Sequence, residues 1–138
     1  PRLCRLIYFS SVSSHLQESD LDDILAESIK RNERDGITGL LAYDQFNFMQ
    51  VLEGEEEAVN RLYLGITADP RHQDVRLIQY EQIDHRQFDD WAMALAKLPE
   101  VPGNYINKLY GGFKPQLFST RDALIYFNFL RNYLKRAA

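Results

Sequence analysis

The chain has 138 residues, of which 45% are hydrophobic and 26% are charged; these values exclude disorder and fit one globular domain. The net charge of −4 and the scattered Lys and Arg residues argue against nucleic acid as a partner. No apolar run approaches the roughly 20 residues that cross a bilayer, so we expect no membrane partner.

The first two predicted elements are a strand and a helix. Ile, Tyr and Phe dominate "RLIYFS", and a Ser-rich turn follows it, which predicts a strand at residues 3–10. Residues 19–34 have a capping pattern from Ser19 to Asp22, acids in the first turn and bases in the last. Gly36 then stops the predicted helix.

A hairpin is predicted next, because a short polar link joins the strand-like segments "ITGLLAYD" and "FNFMQVLEG". Side chains alternate between the faces of a strand, so Phe46, Phe48 and Leu52 share one face with Gln50. A buried amide without partners costs about 1–3 kcal/mol. Gln50 should therefore have a specific hydrogen-bond partner.

The segment "EEEAVNRLYLGITADP" predicts a second helix, and strands follow at 74–83 and 91–96. The order β-α-β-β-α-β with an additional fifth strand predicts an α+β, ferredoxin-like fold. Its first and third strands are adjacent, so Tyr8 and Gln50 are expected to be neighbours. We assign residues 1–98 to this domain and 99–138 to C-terminal helices that pack on the other sheet face within one compact unit.

Several kinds of chemistry find no support in the sequence. The single Cys4 excludes an internal disulfide and fits a reducing compartment, and there is no secretory signal, so we expect a cytoplasmic protein. The three histidines are far apart, which predicts no metal site. Nucleotide-binding glycine motifs and a nucleophile elbow are also missing, so we expect no catalytic residues and no enzymatic activity.

Polar residues nevertheless converge on one place, a slot between the two helices. Ser28 and Asn32 lie on the sheet-facing stripe of the first helix, and "DPRH" follows the second helix. Asn32 as a helix cap and "DPRH" as a solvated turn are the alternatives. The slot has apolar walls, amide partners and a cation at its mouth, which suits a flavin. Its predicted lining is Ile24, Ser28, Asn32, Ile66, Asp69, Arg71 and His72, with Tyr8 and Gln50 as the floor.

Five motifs in this order and spacing resemble those of the BLUF domains, which are blue-light sensors using flavin. The motifs are "LIYFS", "NERDGITGLL", "FMQVLEG", "DPRH" and "FDDWAM", and they cover about residues 3–96. The resemblance implies noncovalently bound FAD between the two helices, with FMN or riboflavin as substitutes. It implies that Tyr8 donates an electron and a proton, and that Gln50 bridges the tyrosine and the flavin.

The resemblance also implies roles for residues around the ring. Asn32 and Arg71 match residues at the polar edge of the flavin, and Asp69 and His72 match residues near its ribityl side. We include Arg31, beside Asn32, in the predicted flavin-binding set. Trp91 and Met93, predicted on the fifth strand, match residues that carry the change outward, and either could face Gln50.

We expect no enzymatic output domain after the sensor, so the signal would pass to an unidentified protein partner or to self-association as a homodimer. The aromatic stripe of the last helix is then either core or part of a dimer surface. The rival hypotheses are a small ferredoxin-like interaction module and a hydrolase without photochemistry.

Overall fold

The structure is a computed structural model that describes residues 2–98 and 105–137, with only the backbone of Tyr105. The predicted domain boundary after residue 98 borders residues 99–104, which lie outside the described residues, so it stays a prediction. None of the described helices has both the length and the apolar composition that crossing a membrane requires.

Five strands and four helices make up the described chain, and a short 3₁₀ turn at Pro115–Leu117 precedes the last helix. The bounds are β1 Leu3–Val12, α1 Glu18–Asp35, β2 Thr38–Tyr43, β3 Asn47–Glu55, α2 Glu56–Ala68, β4 His72–Ile83, β5 Ala94–Lys97, α3 Tyr105–Tyr110 and α4 Thr120–Ala137.

The strands form one sheet in the order β4-β1-β3-β2-β5. β1 pairs antiparallel with β3 and with β4, and β2 pairs antiparallel with β3. β5 pairs with β2 in parallel. This confirms the predicted ferredoxin-like order with an additional strand. Because β1 and β3 are central neighbours, the side chains of both are buried between helices rather than at a sheet edge.

Each face of the sheet has its own core. On one face, Leu6, Phe48 and Leu52 pack with Ile24 of α1 and Ile66 of α2. On the other face, residues of β1, β2 and β3 pack with α4, whose buried side chains are Ala123, Tyr126, Phe127 and Leu130. The C-terminal helices therefore cover the face opposite α1 and α2, as predicted.

Two local predictions were wrong. α1 begins at Glu18, and the backbone N–H of Gln17 donates to the Asp20 carboxylate at 2.8 Å, so the capping pair is not Ser19 and Asp22. Phe46 is 72% exposed because it lies in the hairpin turn, where its N–H donates to the Asp44 side chain at 3.0 Å. A turn that includes Phe46 leaves it outside the alternation of β3.

The fifth strand also starts later than predicted. β5 begins at Ala94, so Trp91 and Met93 precede it and do not share a strand face. Gly39 donates its N–H to the carbonyl of Trp91 at 3.1 Å, which attaches this loop to β2 ahead of the regular pairing. The loop accordingly directs the two side chains to opposite sides of the sheet: Met93 packs in the core with α1 and α2, and Trp91 against the core with α4.

Candidate functional site

Tyr8 and Gln50 are directly opposed on the central strands β1 and β3. The Tyr8 hydroxyl donates to Gln50 Oε1 at 2.5 Å, and Gln50 Nε2 contacts the Met93 sulfur at 3.3 Å. Gln50 is only 3% exposed, so both ends of its amide depend on these partners. The predicted neighbour relation is confirmed, and Met93 is the residue of the Trp91/Met93 pair that reaches Gln50.

The surroundings of Tyr8 keep its phenol protonated. Burial raises the pKa of Tyr8 well above its ordinary value, and the nearby charge of Arg31 only partly opposes this. A neutral phenol has one hydrogen to donate, and here it donates that hydrogen to Gln50. In this structure the Gln50 amide has its oxygen toward Tyr8 and its nitrogen toward Met93.

The predicted slot between α1 and α2 is a narrow cavity of about 30 Å³. Its walls and floor include almost all of the predicted residues, together with two that the sequence did not single out, Glu27 and Leu41. The lining residues are Tyr8, Ile24, Glu27, Ser28, Arg31, Leu41, Gln50, Ile66, Asp69, Arg71 and His72.

Asn32 differs from its prediction, because it lies beside the cavity and does not line it. Its side chain is fully buried, and its amide nitrogen donates to the carbonyl of Ala92 at 2.9 Å. The helix is ended instead by Gly36, which has a left-handed φ of 69°. Asn32 Oδ1 and Arg31 Nε are buried and have no hydrogen-bond partner among the described residues. Buried polar atoms without hydrogen-bond partners destabilise a fold, so these two atoms indicate a place where a ligand binds.

A charged cluster closes one end of the cavity. Arg71 donates to the Asp69 carboxylate at 2.7 Å and to Glu27 at 3.2 Å, and its hydrogen bonds with Asp69 raise the pKa of Arg71. Burial acts to raise the pKa of Asp69, yet the hydrogen bonds from Arg71 hold it below its usual value. Asp69 and Arg71 are therefore both charged. The contact between Glu27 and Arg71 is made by the fold, and no local sequence pattern predicts it.

His72 begins β4 and is not part of a solvated turn. Its Nδ1 lies 2.8 Å from the Ser10 hydroxyl, and its ring centroid lies 4.7 Å from that of Phe48. Burial lowers the pKa of His72 to about 4, with Asp69 acting in the opposite direction. At neutral pH this imidazole is therefore an uncharged wall of the cavity.

The loop that carries Trp91 and Met93 is held by a buried carboxylate that the sequence did not reveal. Glu53 is 0% exposed and accepts hydrogen bonds from the backbone of Gln87 at 2.9 Å and of Phe88 at 2.7 Å. Its other oxygen pairs with Arg5 at 2.9 Å. Asp90 then ties the same loop to α4 through Arg131 at 2.5 Å. The loop is thus fastened to both the sheet and the C-terminal helix.

Known proteins are similar to this chain in sequence and in fold. A sequence model of the family described as "BLUF: Sensors of blue-light using FAD" matches residues 3–94, the greater part of the chain. The chain belongs to the BLUF family. Among the residues that the structure describes, this BLUF chain has no group of three His, Cys, Asp or Glu side chains that could hold a metal ion.

Curated relatives include larger BLUF-type proteins. The chain is 35% identical over 95 residues to the photoactivated adenylate cyclase subunit beta of Euglena gracilis, covering 68% of this chain and 11% of that protein. It is 30% identical over 96 residues to the blue light- and temperature-regulated antirepressor BluF of Escherichia coli (strain K12), covering 70% and 24%. Because the matches span so little of these relatives, the cyclase and antirepressor activities in their names stay with those proteins.

Solved BLUF structures match over nearly the whole chain. The photo-activated state of BlsA superimposes with a TM-score of 0.82 at 32% identity and covers 94% of both chains. The dark state of BlrB gives a TM-score of 0.81 at 31% identity and covers 96% of this chain and 97% of that one. This BLUF chain therefore has the BLUF fold.

Proposed function

We propose that this BLUF chain is a blue-light photoreceptor whose flavin is bound noncovalently between α1 and α2. One observation carries the proposal: the buried chain of hydrogen bonds from Tyr8 through Gln50 to Met93. It lies near two buried polar atoms, on Asn32 and Arg31, that have no partner within residues 2–98 and 105–137. A hydrogen-bonded relay next to unsatisfied groups is an arrangement that a polar heteroaromatic ligand would complete.

The residues present fit a flavin. Ile24 and Ile66, from different helices, supply apolar surfaces for the two faces of a flat ring. Asn32 Oδ1 can accept from an imide N–H, and Arg31 Nε can donate to a carbonyl oxygen. Entry of the ring has to separate the side chains that close the narrow cavity. The proposed flavin-binding residues are Tyr8, Ile24, Ser28, Arg31, Asn32, Gln50, Ile66, Asp69, Arg71 and His72.

When bound, the flavin would supply the absorption of blue light and, in its excited state, an acceptor for one electron. Tyr8 is the donor we propose, and because its raised pKa keeps the phenol neutral, its oxidation is easiest when the proton leaves together with the electron. The proton's first acceptor is Gln50 Oε1, to which the hydroxyl already donates. Gln50 could pass the proton on because an amide has both an acceptor oxygen and donor hydrogens. Return of the electron and the proton to Tyr8 would complete the cycle with no net oxidation and leave the Gln50 amide rotated.

Rotation of the Gln50 amide would change its contact with Met93. In the present orientation Nε2 donates to the Met93 sulfur, which is a weak acceptor. Rotation would place the amide oxygen of Gln50 against the Met93 sulfur, and these two hydrogen-bond acceptors would repel each other. Met93 precedes β5 directly, so we propose that its displacement transmits the light signal to β5, while Trp91 relays it on the α4 side.

The finer assignments are proposals too. We propose FAD as the cofactor, with FMN or riboflavin able to replace it, residues 1–98 as the sensor domain and residues 99–138 as its helical extension. Output would go to a downstream protein or to a homodimer, in the cytoplasm. Unlike the alternative of a ligand-free interaction module or hydrolase, this proposal accounts for the unpartnered Asn32 and Arg31 atoms.

The decisive experiment loads the purified protein with flavin and records its absorption before and after blue light. We expect a reversible red shift, because a new hydrogen bond to the flavin carbonyl stabilises the excited state. Tyr8→Phe and Gln50→Leu should keep the flavin but lose the shift. Tyr63→Phe is the matched control, since its ring centroid lies 5.8 Å from that of Tyr8 and the Tyr8–Gln50 hydrogen bond does not involve it.

A protein that takes up no flavin would overturn the photoreceptor and support the interaction module. A normal shift in either Tyr8→Phe or Gln50→Leu would refute the relay while leaving flavin binding intact. Irreversible bleaching of the wild type would indicate ordinary flavin redox chemistry.

A further inference from the structure

Outside the proposed flavin cavity, the C-terminal half of α1 and the middle of α2 border an open groove of about 470 Å³. The groove shares Arg31, Ile66 and Asp69 with the cavity, so the two spaces adjoin. Its other lining residues are Arg34, Asp35, Arg61, Leu62 and Gly65.

Cations predominate in this groove. Of its two acids, Asp69 is paired with Arg71 at 2.7 Å and Asp35 with Arg34 at 3.0 Å. No salt bridge joins Arg31 or Arg61 to a carboxylate within residues 2–98 and 105–137. Arg31 makes a 3.4 Å contact with Ser28, and its Nε is buried without a partner in the part of the chain that the structure describes. Two guanidinium groups that make no salt bridge there, one from each helix, therefore line the same groove, and Asp35 is the carboxylate whose charge acts on both.

We propose that Arg31 and Arg61 bind the phosphate of a flavin tail, so that this protein selects phosphorylated flavins over riboflavin. The inference rests on the proposed function, since the phosphate reaches the groove only when the ring occupies the cavity. A phosphate monoester carries about −1.5 to −2 charges at pH 7 and offers three acceptor oxygens. Guanidinium groups match those oxygens in charge and in geometry.

Two distinct roles follow for the arginines. Arg31 faces both spaces, so it can satisfy the ring and the tail, whereas Arg61 lines only the groove. Arg61 is exposed, and its substitution should leave the ring site folded. The binding of riboflavin, which lacks the phosphate, reports the ring site alone. Arg61 is therefore the residue that separates recognition of the phosphate from recognition of the ring.

The test measures the dissociation constants of FMN and riboflavin by flavin fluorescence quenching, in the dark, with the full chain. We expect FMN to bind about three- to tenfold more tightly than riboflavin at low salt, as two partly exposed charge pairs would give. Arg61→Gln should lower this ratio by about two- to fivefold. High salt should bring the two affinities together, because it screens exposed charges.

Arg121→Gln is the matched control, since Arg121 is an exposed arginine on α4, across the sheet from the groove. It should leave the FMN-to-riboflavin ratio unchanged. Equal affinities in the wild type would overturn the phosphate site while leaving the photoreceptor standing. An equal loss of both flavins in Arg61→Gln would overturn it too, because that indicates a structural role. Failure of the wild type to bind either flavin would instead overturn the proposed function, and this inference with it.

Discussion

At the scale of single residues, two polar side chains of the site, Gln50 and His72, lie among apolar neighbours and have specific hydrogen-bond partners. Gln50 lies between Phe48 and Leu52 on the same face of β3, and its amide is committed at both ends to Tyr8 and Met93. His72 has its Ser10 contact and an uncharged ring. His72 is thus buried in its neutral form, and the neutral Gln50 amide has a partner at each end.

The lowered pKa of His72 predicts a dependence of stability on pH. In the unfolded chain the imidazole titrates near 6.5, whereas in the folded protein it titrates near 4, so the unfolded state binds the extra proton. Folding stability contributed by His72 is complete above the unfolded value and falls as the pH drops towards 4. We expect His72 to account for a loss of about 1–2 kcal/mol between pH 7 and pH 5.

Urea unfolding of the wild type and of His72→Gln at these two pH values measures this contribution. The glutamine is neutral at both pH values, so the free energy of unfolding of His72→Gln should fall less between pH 7 and pH 5 than that of the wild type. Carboxylates that titrate in the same range affect both proteins equally. Identical losses in the two proteins would mean that burial does not keep His72 uncharged.

At the scale of elements, the loop between β4 and β5 connects the relay to the C-terminal helix. Glu53 of β3 accepts its backbone N–H groups, and Arg86 of the loop donates to the carbonyl of Gly36 at 2.8 Å. Asp90 reaches Arg131 of α4. We therefore propose that a shift of Met93, which ends this loop, reaches α4 through these ionic contacts, which differ in burial.

Burial decides how much each of these contacts contributes. Glu53→Gln would leave the buried Arg5 charge without its counter-ion, so we expect a loss of about 3–5 kcal/mol in the free energy of unfolding. Asp90→Asn, in a partly exposed ion pair, should lose less than about 1 kcal/mol. Urea denaturation of both variants gives the comparison. If the Asp90 variant lost as much as the Glu53 variant, the loop would be anchored mainly by α4.

At the scale of the whole molecule, the sheet contributes side chains to two cores, one on each of its faces. The core with α1 and α2 contains the polar relay, while the core with α4 contains rings such as Phe113, Tyr126 and Phe127. The aromatic stripe of α4 is thus largely used inside the chain. Half-buried Tyr133 and Leu134 extend the same stripe toward the end of the helix, where a self-association surface stays a prediction.

Removing a ring from the α4 core tests whether that helix is part of the folded unit. Phe127 is fully buried, so Phe127→Ala should lower the free energy of unfolding by about 3–5 kcal/mol. Phe46→Ala removes the same group from an exposed turn and should change it by less than about 0.5 kcal/mol. Urea denaturation at several protein concentrations distinguishes a fold effect from a dimer. A marked concentration dependence of the Phe127→Ala loss would contradict packing within one chain.

The order of the elements, the two central strands and the Tyr8–Gln50 pair could be predicted from the sequence, because they follow from side-chain periodicity and from the crossover rule of a split βαβ fold. Most of the residues that line the cavity could be predicted as well. Periodicity failed where the backbone leaves regular structure, at Phe46 in the turn and at Trp91 and Met93 before β5.

Apart from the Tyr8–Gln50 pair, the hydrogen-bond partner of each polar atom depends on the three-dimensional fold and could not be predicted from the sequence. The bond from Asn32 to the carbonyl of Ala92 joins residues 60 positions apart, and the Glu53 anchor of residues 87 and 88 joins distant segments as well. Such contacts depend on the path of an irregular loop, which leaves no periodic pattern in the sequence. Local rules therefore identified the tyrosine and the glutamine, and the loop geometry selected Met93 over Trp91 as the side chain that contacts Gln50.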